Sequence, residues 1–150
     1  MTFIITLLAL VMVNPFAPAN NELSPRDKVE IVIESNDQMK FNMSEIRVKE
    51  GDTIVLTLKH VGKLPKAAMG HNWVLLTKDT EMGPFAQKAV QARDNEYIPA
   101  DGEGTIVYTD LIGGGEETTI EFEAPAKGEY VFICSFPGHY ALMNGKFIVE

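Results

Sequence analysis

Tyr130-Val131-Phe132-Ile133-Cys134-Ser135-Phe136-Pro137-Gly138-His139-Tyr140-Ala141-Leu142-Met143 reads as an apolar strand that runs into a loop bearing a thiol, an imidazole and a thioether. Cys134 lies five residues before His139, which lies four before Met143, and Cys134 is the only cysteine in the chain. A soft thiolate, an imidazole and a thioether together suit copper better than any other common protein metal. The set still lacks a second imidazole, and the chain holds only three histidines. His71 follows Gly70 and opens the apolar run Trp73-Val74-Leu75-Leu76, whereas His60 begins an apolar loop. A strand end beside a glycine turn holds a side chain rigidly, and glycine lets the backbone approach a metal closely. His71 is therefore the better candidate.

Outward from that loop, the remaining chain sets the class. Its 150 residues are enough for one domain with one sizeable core, and an apolar fraction of 45% is ordinary for a globular protein. The net charge of −8 argues against nucleic acid and anionic lipid as partners. No charge occurs before Glu22, and Phe3 to Val13 is mostly apolar. That run is too short to span a bilayer but matches the apolar centre of an export signal. Ala17-Pro18-Ala19 offers small residues for cleavage, although no Lys or Arg precedes the run. The expectation is a signal peptide over 1–19 and a domain over 20–150. The alternative is a buried N-terminal element. A lone cysteine in an oxidising compartment needs a reason, either burial as a small hydrophobe or metal ligation.

Residues 28–34 alternate, with Val29, Ile31 and Ile33 on one face. Further strands are expected over 46–49, 53–59, 71–77, 105–109, 118–123, 130–134 and 145–150. The continuous apolar centre of 71–77 predicts burial on both sides. Residues 60–70 read as a loop. Between Lys78 and Asp101 the spacing of Phe85, Val90 and the alanines is helical, with Asp79 or Thr80 as cap and Pro84 near the start. Asp94-Asn95 and Pro99 end it. About eight short strands with one helical insert predict an all-β sandwich.

Met69-Gly70-His71-Asn72-Trp73-Val74-Leu75 and Cys134 through Met143 resemble the two copper-binding segments of the azurin family, the type 1 blue copper proteins of the cupredoxin class. Asn36-Asp37-Gln38-Met39, Leu64-Pro65-Lys66 and Leu111-Ile112-Gly113 extend the likeness over nearly all of the domain. Auracyanin-type proteins are a close second match. The resemblance implies a Greek-key β-sandwich with one type 1 copper per chain. His71, Cys134 and His139 would form its plane, with Met143 a long axial ligand and the Gly70 carbonyl a weak one opposite. Asn72 and Ser135 would tie the ligand loops together, and backbone donors near Asn72 and Phe136 would bond the Cys134 sulfur. Trp73 would be the buried core indole. His60 resembles the non-ligand histidine near such sites, with either a tuning or a structural role.

The function implied is electron transfer between periplasmic redox proteins by a monomer that is not an enzyme. Partners would be c-type cytochromes or copper or haem reductases, with no stable membrane insertion of the mature domain. Met39, Leu64, Met69, Phe136, Pro137, Ala141 and Leu142 would form an apolar docking patch around the His139 edge, unless they are core. The chain departs from the family in lacking the cysteines of its usual disulfide, and in carrying bulky Tyr140 after His139, expected at the rim of the docking face. Rival readings are a copper carrier that never cycles, a zinc site, which would waste Met143, and a Cys134–His139 hydrolase, for which no orienting acid or amide is evident.

Overall fold

Nine strands, most of them with period-two burial, form among residues 26–150, the part of the chain described by this computed structural model. The expected export segment, 1–19, lies outside the described residues. The strands are β1 (Lys28–Asn36), β2 (Lys40–Phe41), β3 (Glu45–Val48), β4 (Thr53–His60), β5 (Val74–Leu76), β6 (Thr105–Tyr108), β7 (Glu117–Glu123), β8 (Gly128–Ile133) and β9 (Asn144–Val149). One sheet has the order β2-β1-β4-β7 and the other β3-β9-β8-β5-β6. β1 pairs parallel with β4 and β3 with β9, and the other pairings are antiparallel. This is the expected all-β Greek-key sandwich.

The inward residues of alternating strands make the core. Ile31 and Ile33 of β1, Ile54, Leu56 and Leu58 of β4, Leu75 of β5, Phe132 of β8 and Phe147 of β9 meet around Trp73. Fully burying each such aliphatic side chain stabilises the fold by about 1.5–3 kcal/mol. Trp73 lies within 5.6–6.1 Å, ring centre to ring centre, of Phe122, Phe132 and Phe147.

The central strand β5 is buried on both faces, as its unbroken apolar run predicts. Leu75 points into the sandwich, while Val74 and Leu76 join a second cluster on the outer face. That cluster also takes in Ile133, Ile98, and Phe85 and Ala89 of helix α2 (Met82–Gln91). The helical insert is thus a roof over the five-stranded sheet. Its N-cap is Glu81, without a side-chain cap bond, rather than Asp79 or Thr80. Thr80 is occupied instead by a 2.7 Å hydroxyl contact to Thr77. Pro84 sits in the first helical turn, where its missing N–H has no partner to lose.

Three other differences from the sequence reading are local. β2 is an extra two-residue strand, folded back through a turn in which Met39 takes a positive φ of 55°. The 60–70 loop contains a single helical turn, α1 (Lys66–Met69). The strand expected over 71–77 is regular only across Val74–Leu76, and His71 makes an isolated antiparallel bridge with Ile112.

Topology decides where the chemistry lies. Val74 of β5 pairs with Ile133 of β8 in antiparallel register. The residues just before β5 and just after β8 therefore emerge at the same end of the sandwich, bringing 71 beside 134. No helix among the described residues is long and apolar enough to cross a membrane.

Candidate metal centre

Cys134 leaves β8 into a loop that is closed on itself. The Cys134 N–H donates to the Met143 carbonyl at 2.9 Å, and the Met143 N–H donates to the His139 carbonyl at 2.8 Å. The Phe136 carbonyl accepts from the His139 N–H at 3.0 Å, with Gly138 in the left-handed region at φ 82°. Thiol, imidazole and thioether are thus held by the backbone of one tight loop. Cys134 and Met143 are fully buried.

His71 reaches the same place from the other segment. Its Nε2 lies 2.9 Å from the Asn36 carbonyl, which can only accept. That bond puts the proton on Nε2 and leaves Nδ1 bare, facing the site. The Nδ1 atoms of His71 and His139 lie 3.2 Å apart, and each is close to the Cys134 Sγ, at 3.8 and 3.7 Å. The point equidistant from those three atoms lies about 2.1 Å from each, the length of a bond from nitrogen to a first-row divalent ion and slightly short of one from sulfur, about 2.3 Å. A buried triangle of one sulfur and two imidazole nitrogens at that spacing fits copper.

Burial sets the protonation of the metal-free triangle. Loss of solvent pushes the Cys134 thiol up to about 12, against partial relief from the backbone N–H groups of Asn72 and Phe136, which favour the thiolate. Loss of solvent is also the main cause that holds His71 and His139 down at about 4. Both imidazoles are therefore neutral and metal-ready at pH 7, while the thiol must shed its proton to a metal.

Asn72 locks the two ligand segments together. Its Oδ1 accepts from the Ser135 N–H at 2.9 Å, and its Nδ2 donates to the Ser135 hydroxyl at 2.8 Å. All of this is buried, so each bond is protected from water. The Gly70 carbonyl is 4.0 Å from the Cys134 sulfur. Glycine is required at 70 less by the metal than by packing, because a Cβ there would sit 2.6 Å from the Lys66 carbonyl and 3.1 Å from the Leu111 side chain.

His60 is not available as a ligand. Its Nδ1 accepts from the Gly62 N–H at 3.0 Å, so its Nε2 carries the proton and donates to the Met69 carbonyl at 2.9 Å. Its ring stacks on His71, centre to centre at 4.5 Å.

The seven residues expected in a docking patch are all at least partly exposed, with Leu142 at 63% and Leu64 at 42%. Val61, at 56%, joins the exposed apolar residues of the loop that carries Leu64 and lies outside the docking patch expected from the sequence. His139 keeps 4% of its surface, whereas His71, Cys134 and Met143 keep none. Tyr140, still partly exposed, packs against the α2 cluster.

The sequence reading placed Asn36 and Asp37 only in a family-like segment, and gave Glu96 and Tyr97 no role. The Asp37 carboxylate accepts from the Lys63 and Leu64 N–H groups at 2.8 and 3.2 Å, which fixes the loop carrying Leu64. Those bonds, Lys63 first, lower its pKa. The two family-like segments holding Asp37 and Leu64 are legible separately, but nothing local shows that a carboxylate and two backbone amides far apart in sequence meet.

Residues 27–150 match the sequence profile of copper binding proteins of the plastocyanin/azurin family. Outer membrane protein H.8 of Neisseria meningitidis serogroup B is 47% identical over 118 residues, covering 76% of this chain and 63% of that protein. The match therefore spans less than two thirds of that relative. The azurin of Alcaligenes faecalis is 42% identical over 120 residues, covering 77% of this chain and 94% of that protein. Auracyanin A, a "blue" copper protein of Chloroflexus aurantiacus, matches with a TM-score of 0.74 at 33% identity, over 82% of this chain and 99% of that one.

Proposed function

This chain belongs to the plastocyanin/azurin family of copper-binding proteins, and on that premise we propose that it is a blue copper electron carrier rather than an enzyme. The observation that carries the reading is the fully enclosed triangle of the His71 and His139 Nδ1 atoms and the Cys134 Sγ. In this reading those three atoms would hold the copper, with the Met143 thioether and the Gly70 carbonyl as weaker donors. Bound copper supplies a one-electron Cu(I)/Cu(II) couple.

What the chain supplies is stiffness, dryness and an exit. The 134–143 loop is closed by its own backbone bonds and tied to His71 through Asn72 and Ser135, so the donors keep one arrangement. A site that does not rearrange between oxidation states exchanges electrons at low reorganisation cost. Cys134 gives up its proton when the metal enters, and the backbone N–H groups of Asn72 and Phe136 then stabilise the sulfur's charge. Among His71, Cys134, His139 and Met143, only His139 reaches the surface, and on this reading the exposed Leu142, Leu64 and Ala141 with the partly exposed Pro137 supply a small apolar docking face beside it. The partners on this reading are c-type cytochromes or copper or haem reductases met transiently by a monomer. The setting is the periplasm, reached through export by residues 1–19.

Adding copper(II) to the purified domain and recording visible and EPR spectra tests this. The expected result is an intense blue band with narrow copper hyperfine splitting, followed by fast reversible exchange with a c-type cytochrome. Leu142→Lys is expected to leave the spectrum alone and slow that exchange about tenfold, the effect of burying a charge at a cost of at least ~1.4 kcal/mol. A colourless, copper-saturated sample would overturn the assignment. A blue sample that exchanges electrons slowly and hands copper on would indicate a carrier of the metal itself.

A further inference from the structure

The segment between α2 and β6 contains two consecutive non-glycine residues in the left-handed region, Glu96 at φ 52° and Tyr97 at φ 63°. Each such residue costs on the order of 1 kcal/mol or more and persists only where its surroundings hold it. Here the surroundings are the pieces of the metal centre. The Glu96 carbonyl accepts from Asn72 Nδ2 at 3.4 Å, and Asn72 is the residue that joins the two ligand segments. The Glu96 carboxylate accepts from the Leu111 N–H at 2.9 Å, next to the Ile112 that bridges His71, and from Lys66 Nζ of α1 at 3.3 Å.

Tyr97 reaches the other side of the site. Its ring meets Phe136 edge-on with centres 5.1 Å apart, and Phe136 lies 4.6 Å from the His139 ring. Tyr97 also packs against the α2 cluster. One strained turn therefore touches the His71 segment, the Cys134–Met143 loop and α1, and rests on the helical roof.

We propose that the Glu96–Tyr97 turn is a positioning element for the metal centre: Tyr97 clamps Phe136 against His139, and the Glu96 carbonyl steadies Asn72. The inference rests on the copper reading above and goes beyond it, because neither residue is a ligand. The helical insert is then not only a cover for β5. It is the brace that sets the orientation of the surface-reaching imidazole, at the expense of backbone strain. His139 has no hydrogen bond through its Nε2 among the described residues, so its plane rests on its Nδ1 contacts within the triangle and on ring packing against Phe136.

The test compares Tyr97→Leu, which keeps bulk but removes the ring edge, with Tyr97→Phe, which keeps the ring. Tyr97→Gly relieves the positive φ and removes the clamp. In metal-free protein, amide hydrogen exchange in residues 136–143 is expected to accelerate at least tenfold in the Leu and Gly variants and to stay near wild type in Phe. In copper-loaded protein, the Cu(I)/Cu(II) ratio at a fixed poise is expected to move at least threefold in Leu and Gly, a shift of about 28 mV at 59 mV per tenfold for one electron. The copper hyperfine splitting should change with it, and Phe should restore both. Unchanged exchange and potential in a folded Leu or Gly variant would overturn the proposal, as would a Phe variant as perturbed as Leu. Should Leu fail to fold, Gly alone decides, since strain relief offsets its lost packing. A wild-type protein that takes up no copper defeats the copper reading, while the hydrogen-exchange arm still tests the clamp.

Discussion

Cys134→Ser is expected to abolish the blue colour of the copper-loaded protein completely while leaving the domain folded. The intense visible band of a type 1 site comes from thiolate bound to copper(II), and an alcohol oxygen is a harder, far less readily ionised donor. The fold should survive because serine is nearly isosteric with cysteine and its oxygen meets the same two backbone donors, from Asn72 and Phe136, that now face the sulfur. The Cys134 N–H bond to the Met143 carbonyl is backbone and is retained. The measurement is a visible spectrum at saturating copper beside a thermal melt of the metal-free variant. The melt should shift by no more than about 1 kcal/mol, the scale of one altered buried hydrogen bond. A variant that stays blue would remove Cys134 from the centre.

Acid is expected to destabilise the metal-free protein steeply, and the copper-loaded protein more steeply still. Burial, the largest cause for each, holds His71 and His139 at about 4, below the ordinary 6.5. The unfolded chain therefore binds more protons than the folded one between those values. The stability conferred by two neutral imidazoles is fully present above about pH 6.5 and is lost as pH falls toward 4. Each histidine contributes a loss of about 2 kcal/mol by pH 5 and about 3 kcal/mol by pH 4. Metal entry also removes the proton of Cys134, whose thiol burial pushes up to about 12. The loaded protein thus carries one proton fewer than the metal-free form. Its advantage over that form should shrink by about 1.4 kcal/mol for each unit of pH lost. On the alkaline side the sign reverses for the metal-free form. The folded state keeps a thiol proton that the unfolded chain gives up, so stability falls as pH rises from about 9 toward 12. Melts of both forms from pH 8 to 5 check this, and a metal-free midpoint flat across that range would contradict the buried, neutral imidazoles.

Much of the sandwich was readable because a half-buried strand imposes a period of two. β1, β4 and β7 alternate visibly, and their bounds fall within two residues of the reading. The regular part of β5 is shorter than its apolar run: His71 makes only an isolated bridge with Ile112 and faces Cys134 and His139, while Trp73 turns into the core. β2 escaped notice because two residues carry no period. The cap of α2 was misplaced because Thr77 competes for Thr80 across a contact that no local rule anticipates.

At the candidate centre, Cys134 and His139 are legible together because one short loop supplies both, and the scarcity of histidine points to His71, which the fold brings beside them. The tautomer that bares His71 Nδ1 was not legible, because it depends on the Asn36 carbonyl, thirty-five residues away in sequence. Nor was the packing of Tyr140 against the α2 cluster, which brings together residues far apart in sequence.

The amino-acid order by itself determined the alternating strands, the donor-rich loop and the kind of metal it suits, since side-chain period and ligand softness are local properties. Only the tertiary structure decided the rest. It placed three donor atoms in a dry triangle, left one imidazole at the surface and laid a strained turn against both ligand segments. Those features arise from contacts between residues far apart along the chain, and burial, which sets their protonation, exists only once the chain has packed.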